Sequence, residues 1–263
     1  MLFDPIPDAV QNGIYTKIVG TRIYHYPKTD STMVEASRLI GLGVPEGTVV
    51  LASEQTQGRG RFHRSWKSRI GDILMSVVFY PRQDIVGLMS VLGCLAVVRV
   101  IRDQTGISAK IKWPNDIVIN NKKVCGILVE SSSQNNEIKH CILGLGLNVA
   151  MDPSTEPEIA NRSTSLLIEY KKDVNQSELI RSLFHEIDIL YSDLKDNVFP
   201  LIEWKKSVMT IGENVVAIGE EGSVSGLAEG IDDSGRLLIR KKDGTLIKLA
   251  SGEVSLKTSN FLS

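Results

Sequence analysis

Five basic residues and no acid fall between Gly58 and Arg69, in the run G-R-G-R-F-H-R-S-W-K-S-R. The whole chain of 263 residues carries 30 Lys and Arg against 31 Asp and Glu, so this positive charge is focused in one loop. Arginine forks match phosphate or carboxylate bidentately, and Gly58 and Gly60 let backbone amides come close to a bound anion. Trp66 adds a face on which a ring could stack. A solvated surface loop or an Arg-Gly nucleic-acid segment fits the same run. The near-neutral net charge of −1 argues against a general nucleic-acid coat.

Three further stretches carry polar chemistry. In K-W-P-N-D (112–116), Pro114 fixes the chain and pushes Trp113 to an extended conformation. Asn115 and Asp116 are then displayed rigidly, to hold a ligand or a metal ion or only to build a turn. In K-K-V-C-G-I-L-V-E (122–130), Lys123 stands at the mouth of a hairpin and Gly126 marks a close approach to a strand, although a lone surface lysine reads the same way. In G-L-G-L-N (144–148), alternating glycines leave space beside the backbone and Asn148 offers a donor and an acceptor. No G-x-G-x-x-G opens a helix there, so this is not a dinucleotide fingerprint.

The elements that must position these residues follow from periodicity. Residues 29–43 predict a short helix with a Thr32–Glu35 capping box, a face of Met33, Ala36 and Ile40, and an end at Gly41 and Gly43. Strands are expected over 48–54, which leads into the basic loop, and over 72–81, 109–113, 116–120, 123–131 and 137–149. Asn120, Asn121 and Lys122 should turn one strand into the next, and the last two should pair antiparallel. A long buried helix is expected over 85–104, a loop over 151–162, and helical periodicity over 163–170 and 177–194. From Glu213 to Lys257 short alternating runs are punctuated by D-D-S-G and K-D-G, which predicts five strands in a small barrel.

Composition bounds the rest. A hydrophobic fraction of 42% suffices for a real core, and Cys94, Cys125 and Cys141 lack metal-like spacing, so reduced core thiols are expected. The start M-L-F-D-P-I-P-D-A-V has neither a charged n-region nor an apolar stretch, and the longest apolar run is broken by Arg99. A cytoplasmic protein without a membrane span is the expectation.

In order along the chain, D-S-T (30–32), G-R-G-R…W, K-W-P-N-D, K-x-x-G-I-L-V-E and G-L-G-L-N resemble the biotin protein ligase family. The likeness runs from about Asp30 to Asn148, and the small barrel after residue 210 resembles that family's C-terminal domain. It implies an α+β fold, a mixed and largely antiparallel sheet with helices (the class II aminoacyl-tRNA-synthetase-like biotin/lipoate ligase fold), over 1–208, and an SH3-like β-barrel over 209–263. It also implies an activity: biotin and ATP give biotinyl-5′-AMP, and biotin passes to one lysine of a biotin carboxyl carrier protein domain, as in acetyl-CoA carboxylase. Ser31, Thr32, Met33, Gln55, Arg59, Gly60, Arg61 and Lys123 then fall at the biotin site, and Arg61, Arg64, Trp66, Asn115, Asp116 and Asn148 at the nucleotide. Lys123 and Arg61 are the catalytic candidates, Mg²⁺ accompanies ATP, and no metal ligand is assigned to the chain. A homodimer is the assembly the resemblance suggests. Two departures stand out: Met33 replaces a common Asn and loses its polar contact, and His63 replaces a Gly in the closing loop. About 28 residues precede D-S-T without a helix-turn-helix pattern, so no DNA partner and no repressor function are expected. A lipoate ligase or octanoyltransferase of the same fold is the rival enzyme, and a nucleic-acid-binding module is the rival of another class.

Overall fold

The computed structural model describes residues 8–219 and 222–256. The chain opens with helix α1 (Asp8–Gln11) and strand β1 (Ile23–Tyr26), followed by α2 (Thr32–Ile40) and β2 (Val49–Ala52). After the basic loop come β3 (Ile73–Phe79), helix α3 (Met89–Thr105), β4 (Lys110–Lys112), β5 (Asp116–Ile119), β6 (Lys122–Gln134) and β7 (Glu137–Leu147). Helices α4 (Leu166–Tyr170), α5 (Gln176–Lys195) and α6 (Leu201–Ser207) lead to strands β8 (Asn214–Gly219), β9 (Gly222–Ile231), β10 (Leu237–Arg240), β11 (Leu246–Leu249) and β12 (Glu253–Leu256).

The first seven strands form one mixed sheet in the order β1-β2-β3-β7-β6-β5-β4, with β1 and β2 parallel and the other neighbours antiparallel. Strand β3 is buried at every position, so its two alternating sets of side chains each meet a covering layer. Ile73, Met75, Val77 and Phe79 join a core with α3 and α5, whereas Leu74 and Val78 join a smaller one under α2. The last five strands form an antiparallel sheet in the order β11-β10-β9-β8-β12, as the alternating runs predict. Its inward residues, among them Val215, Ala228 and Ile239, continue the larger core. Trp113 ties the two sheets together: its N–H donates to Thr210 Oγ1 (3.0 Å) and its Nε1 to the Gly235 carbonyl (3.0 Å).

The turn after β5 is as expected, with Asn120 at φ 50° and Asn121 at φ 62°, and the three cysteines are free and buried. Burial pushes the Cys141 thiol up to about 12 and raises those of Cys94 and Cys125 well above the usual thiol range, which disfavours the reactive thiolate in all three. No helix among the described residues is long and apolar enough to cross a membrane. The capping box does not form. Ser31 is the N-cap of α2, without a side-chain cap, and the Thr32 hydroxyl is committed elsewhere. Glu35 turns to Thr29 Oγ1 and Arg38 instead.

One buried carboxylate anchors both loops that flank the cavity described below. Asp72 Oδ1 accepts from the amides of Val149 (2.9 Å), Ala150 (3.1 Å) and Met151 (3.1 Å), and Oδ2 from that of Arg69 (2.9 Å). Burial still pushes its pKa above the usual carboxylate range, against those four amides. Asp72→Ala strands four backbone donors at once. It should cost about 3 kcal/mol or more, read as a melting temperature lower by roughly 6–12 °C in calorimetry. A shift under 2 °C would mean that water replaces the carboxylate without loss.

Candidate active site

At one end of the seven-stranded sheet lies a cavity of about 360 Å³. Every site residue singled out in the sequence lines it, from Ser31, Thr32 and Met33 to Asn148. The glycines of G-L-G-L-N and of β6 explain its floor. Gly126 and Gly146 are cross-strand partners, and the Trp66 ring lies directly on them. A Cβ at Gly146 would come within 2.5 Å of Trp66 Cε2, and one at Gly126 within 3.0 Å of Cζ3. Gly144 seats Met33 in the same way, with Met33 Sδ 2.5 Å from where its Cβ would be. The space that the alternating glycines leave is thus filled by an indole and a thioether. Met33 is 4% exposed, so its side chain serves here as packing.

Lys123 reaches the cavity because β5 and β6 slip in register between Ile117 and Val118, and such a bulge re-aims the neighbouring side chain. Its Nζ lies 2.6 Å from Asp116 Oδ1 and 5.2 Å from the centroid of the Trp66 ring. The cation therefore stands on the aromatic floor with one carboxylate beside it, at a half-exposed position open to a ligand.

The basic loop closes on itself through Gly60 N–H to the Arg64 carbonyl (2.7 Å) and Trp66 N–H to the Gly58 carbonyl (2.8 Å). At its tip Phe62 sits at φ 55°, a strained conformation for a bulky residue, with its ring 60% exposed. Three arginines then spread to three anchors. Arg59 faces Glu130 at 3.6 Å, and Arg64 Nη2 donates to Glu253 Oε2 at 2.5 Å. Arg61 Nη1 donates both to Asn115 Oδ1 (3.2 Å) and to the Gly252 carbonyl (3.0 Å). Burial pushes the Arg61 pKa down while Asp116 and Glu253 oppose it, and a guanidinium keeps its charge in such surroundings.

Asn115 is itself fixed, since its Nδ2 donates to the Ile127 carbonyl at 2.5 Å. It holds Arg61 in place. Asn148, 2% exposed, donates from Nδ2 to the Thr164 carbonyl (2.9 Å), while its Oδ1 is buried without a partner among the described residues. Trp66 Nε1 shares that state. Among the described residues, no three His, Cys, Asp or Glu side chains converge on a metal-sized point.

Sequence reasoning missed several lining residues. Lys112 lies within K-W-P-N-D and was open to being found there, whereas Asn121, Arg162 and Ser163 stand on the turn and the wall loop without local signal. Gly252 and Glu253 arrive from the C-terminal sheet, which only the folded chain brings to the basic loop.

Residues 26–148 match the biotin/lipoate A/B protein ligase family, and residues 210–257 the biotin protein ligase C-terminal domain, so fold and cavity define a ligase of that class. The bifunctional ligase/repressor of Bacillus subtilis is 33% identical over 94% of this chain and 78% of its own. A biotin–[acetyl-CoA-carboxylase] ligase of Paracoccus denitrificans is 32% identical over 82% of this chain and 93% of its own. Among solved structures, the biotin protein ligase of Aquifex aeolicus in complex with biotin and ATP superposes with a TM-score of 0.77 at 30% identity, covering 91% of this chain and 100% of that one. The chain belongs to the biotin protein ligase family.

Proposed function

We propose that this chain joins biotin to ATP as biotinyl-5′-AMP and then passes biotin to one lysine of a biotin carboxyl carrier protein domain. The observation that carries the reading is Lys123: a cation on an aromatic floor, inside the cavity that all five sequence motifs line. In the first step a biotin carboxylate oxygen attacks the α-phosphorus and pyrophosphate leaves. In the second the carrier lysine attacks the acyl carbon and AMP leaves. Both reactants of the first step are anions, so fixed charge must offset their repulsion.

On this reading Ser31, Thr32 and Gln55 bind the biotin head group at the Met33 end. Lys123 lies between the biotin carboxylate and the α-phosphate. Arg59, Gly60 and Arg61 close over biotin and the adenylate, and Arg64 and Trp66 face the nucleotide. Asn148 offers its unpartnered Oδ1 toward the adenine. Asn115 and Asp116 act by holding Arg61 and Lys123. The carboxylates that line the cavity, Asp116 and Glu253, are both paired with cations, and Mg²⁺ would accompany the triphosphate.

The test is ATP–pyrophosphate exchange. Exchange should depend on biotin and Mg²⁺, and lipoate should not replace biotin. Exchange with lipoate but not with biotin would make the lipoate ligase the right assignment. A gel shift indifferent to biotin and ATP would instead favour a nucleic-acid module.

A further inference from the structure

The one polar residue of β3 is Ser76, which lies between Leu74 and Val78 on the face covered by α2 and is fully buried. A hydroxyl there is costly unless it is bonded. We propose that Ser76 is a positioning residue for biotin: the far end of a hydrogen-bond chain that holds the Thr32 hydroxyl on Gln55 and so steadies the Gln55 side chain. The proposal rests on the reading of Gln55 as part of the biotin site.

The sense of the chain is fixed by a backbone group. The Thr32 N–H can only donate, and it lies 2.7 Å from the Gln55 side-chain atom assigned as Oε1, so that atom is the oxygen and not the amide nitrogen. The Thr32 hydroxyl, 3.1 Å from the same oxygen, then faces an acceptor and must donate to it. With its proton spent, Thr32 Oγ1 is left to accept, and Ser76 Oγ donates to it at 2.8 Å. Ser76 to Thr32 to Gln55 therefore runs one way, and it leaves both Nε2 donors of Gln55, a side chain that lines the cavity, outside this chain of bonds. A ureido carbonyl is an acceptor and fits that presentation. Gly144 pairs with Ser76 across the sheet and seats Met33, so Ser76 stays outside the ligand's reach and acts only through Thr32.

Without Ser76 the Thr32 hydroxyl can rotate off Gln55 Oε1, and Gln55 is then held through the Thr32 N–H alone, by one bond instead of two. Ser76→Ala should raise the KM for biotin about tenfold, the free energy of roughly one net hydrogen bond, and leave kcat and the KM for ATP within twofold. Ser76→Cys keeps the side chain's shape with a weak donor, and should shift the biotin KM in the same direction by less. It also carries the test if the alanine variant fails to fold. A purely structural serine would move both KM values together, or neither. Gln55→Ala separates the two ideas. If it raises the biotin KM while both Ser76 variants stay within twofold of the parent, the chain of hydrogen bonds is wrong and the site stands. If Gln55→Ala itself leaves the biotin KM unchanged, the site reading fails and takes the Ser76 proposal with it.

Discussion

Lys123→Ala lowers biotin-dependent ATP–pyrophosphate exchange by about a hundredfold to a thousandfold, the usual cost of removing one preorganised charge from a reacting centre. Two features place the effect at this high level. The Nζ is held 2.6 Å from Asp116 and 5.2 Å from the Trp66 centroid, so the charge is positioned before any ligand binds. Removing it also leaves the Asp116 carboxylate facing the incoming anions. The double variant Lys123→Ala/Asp116→Ala should therefore recover part of the lost affinity for ATP but little of the rate. Fold and melting temperature should hold in both, because Lys123 is half-buried at a strand end and not in the core. The measurement is exchange at saturating ATP and biotin, with circular dichroism as the control. Turnover within a few-fold of the parent would remove Lys123 from the chemistry.

How far the site was legible depends on what kind of interaction made it. Residue type and spacing marked the basic loop and the glycine strand, because charge density and absent side chains show in the sequence itself, whereas Lys123 was singled out only by the family resemblance. The Asn120–Asn121 turn was readable for the same reason, since positive φ has few residue choices. Long-range bonds were not readable. Thr32 and Glu35 have the spacing of a capping box, yet Gln55 and Ser76 outcompete the helix end for the Thr32 hydroxyl, and these partners lie 23 and 44 residues away. Strand β1 is four residues of alternating Ile, Tyr and His at the sheet edge, and its only signal is pairing with β2. The expected helix over 163–170 shortens to Leu166–Tyr170, since Thr164 is drawn into a backbone bond with the Lys123 carbonyl at 2.9 Å. Glu253 could not be foreseen at all: 189 residues separate it from Arg64. Asn115 shows the converse. Its motif was legible, but the role the structure gives it, gripping Arg61, is set by contacts that no motif states.

Arg61→Gly should make biotinyl-5′-AMP and lose it early. The adenylate reacts with any amine, so a specific ligase must retain it until the carrier lysine arrives. In this molecule the basic loop is tied down chiefly through Arg61, whose Nη1 bonds Asn115 Oδ1 at 3.2 Å and the Gly252 carbonyl at 3.0 Å. These two bonds join the loop to the β4–β5 turn and to the C-terminal sheet together. Glycine removes both and adds backbone freedom at a loop already hinged by Gly58 and Gly60. What remains is the internal pair of backbone bonds and the Arg59–Glu130 and Arg64–Glu253 ion pairs, which are exposed enough to contribute little. Losing two bonds to a charged donor should raise the adenylate off-rate roughly tenfold to a hundredfold or more. Adenylate formation should fall less, because Lys123 and the Trp66 floor are untouched. Released adenylate then acylates nearby lysines without selection, so serum albumin in the same tube should become biotinylated. The two readouts are the off-rate, followed by trapping released adenylate, and a streptavidin blot of the albumin. A parent-like off-rate with a clean blot would move the retaining role to Arg59 or Arg64, whose anchors at Glu130 and Glu253 would then have to hold the closed loop by themselves.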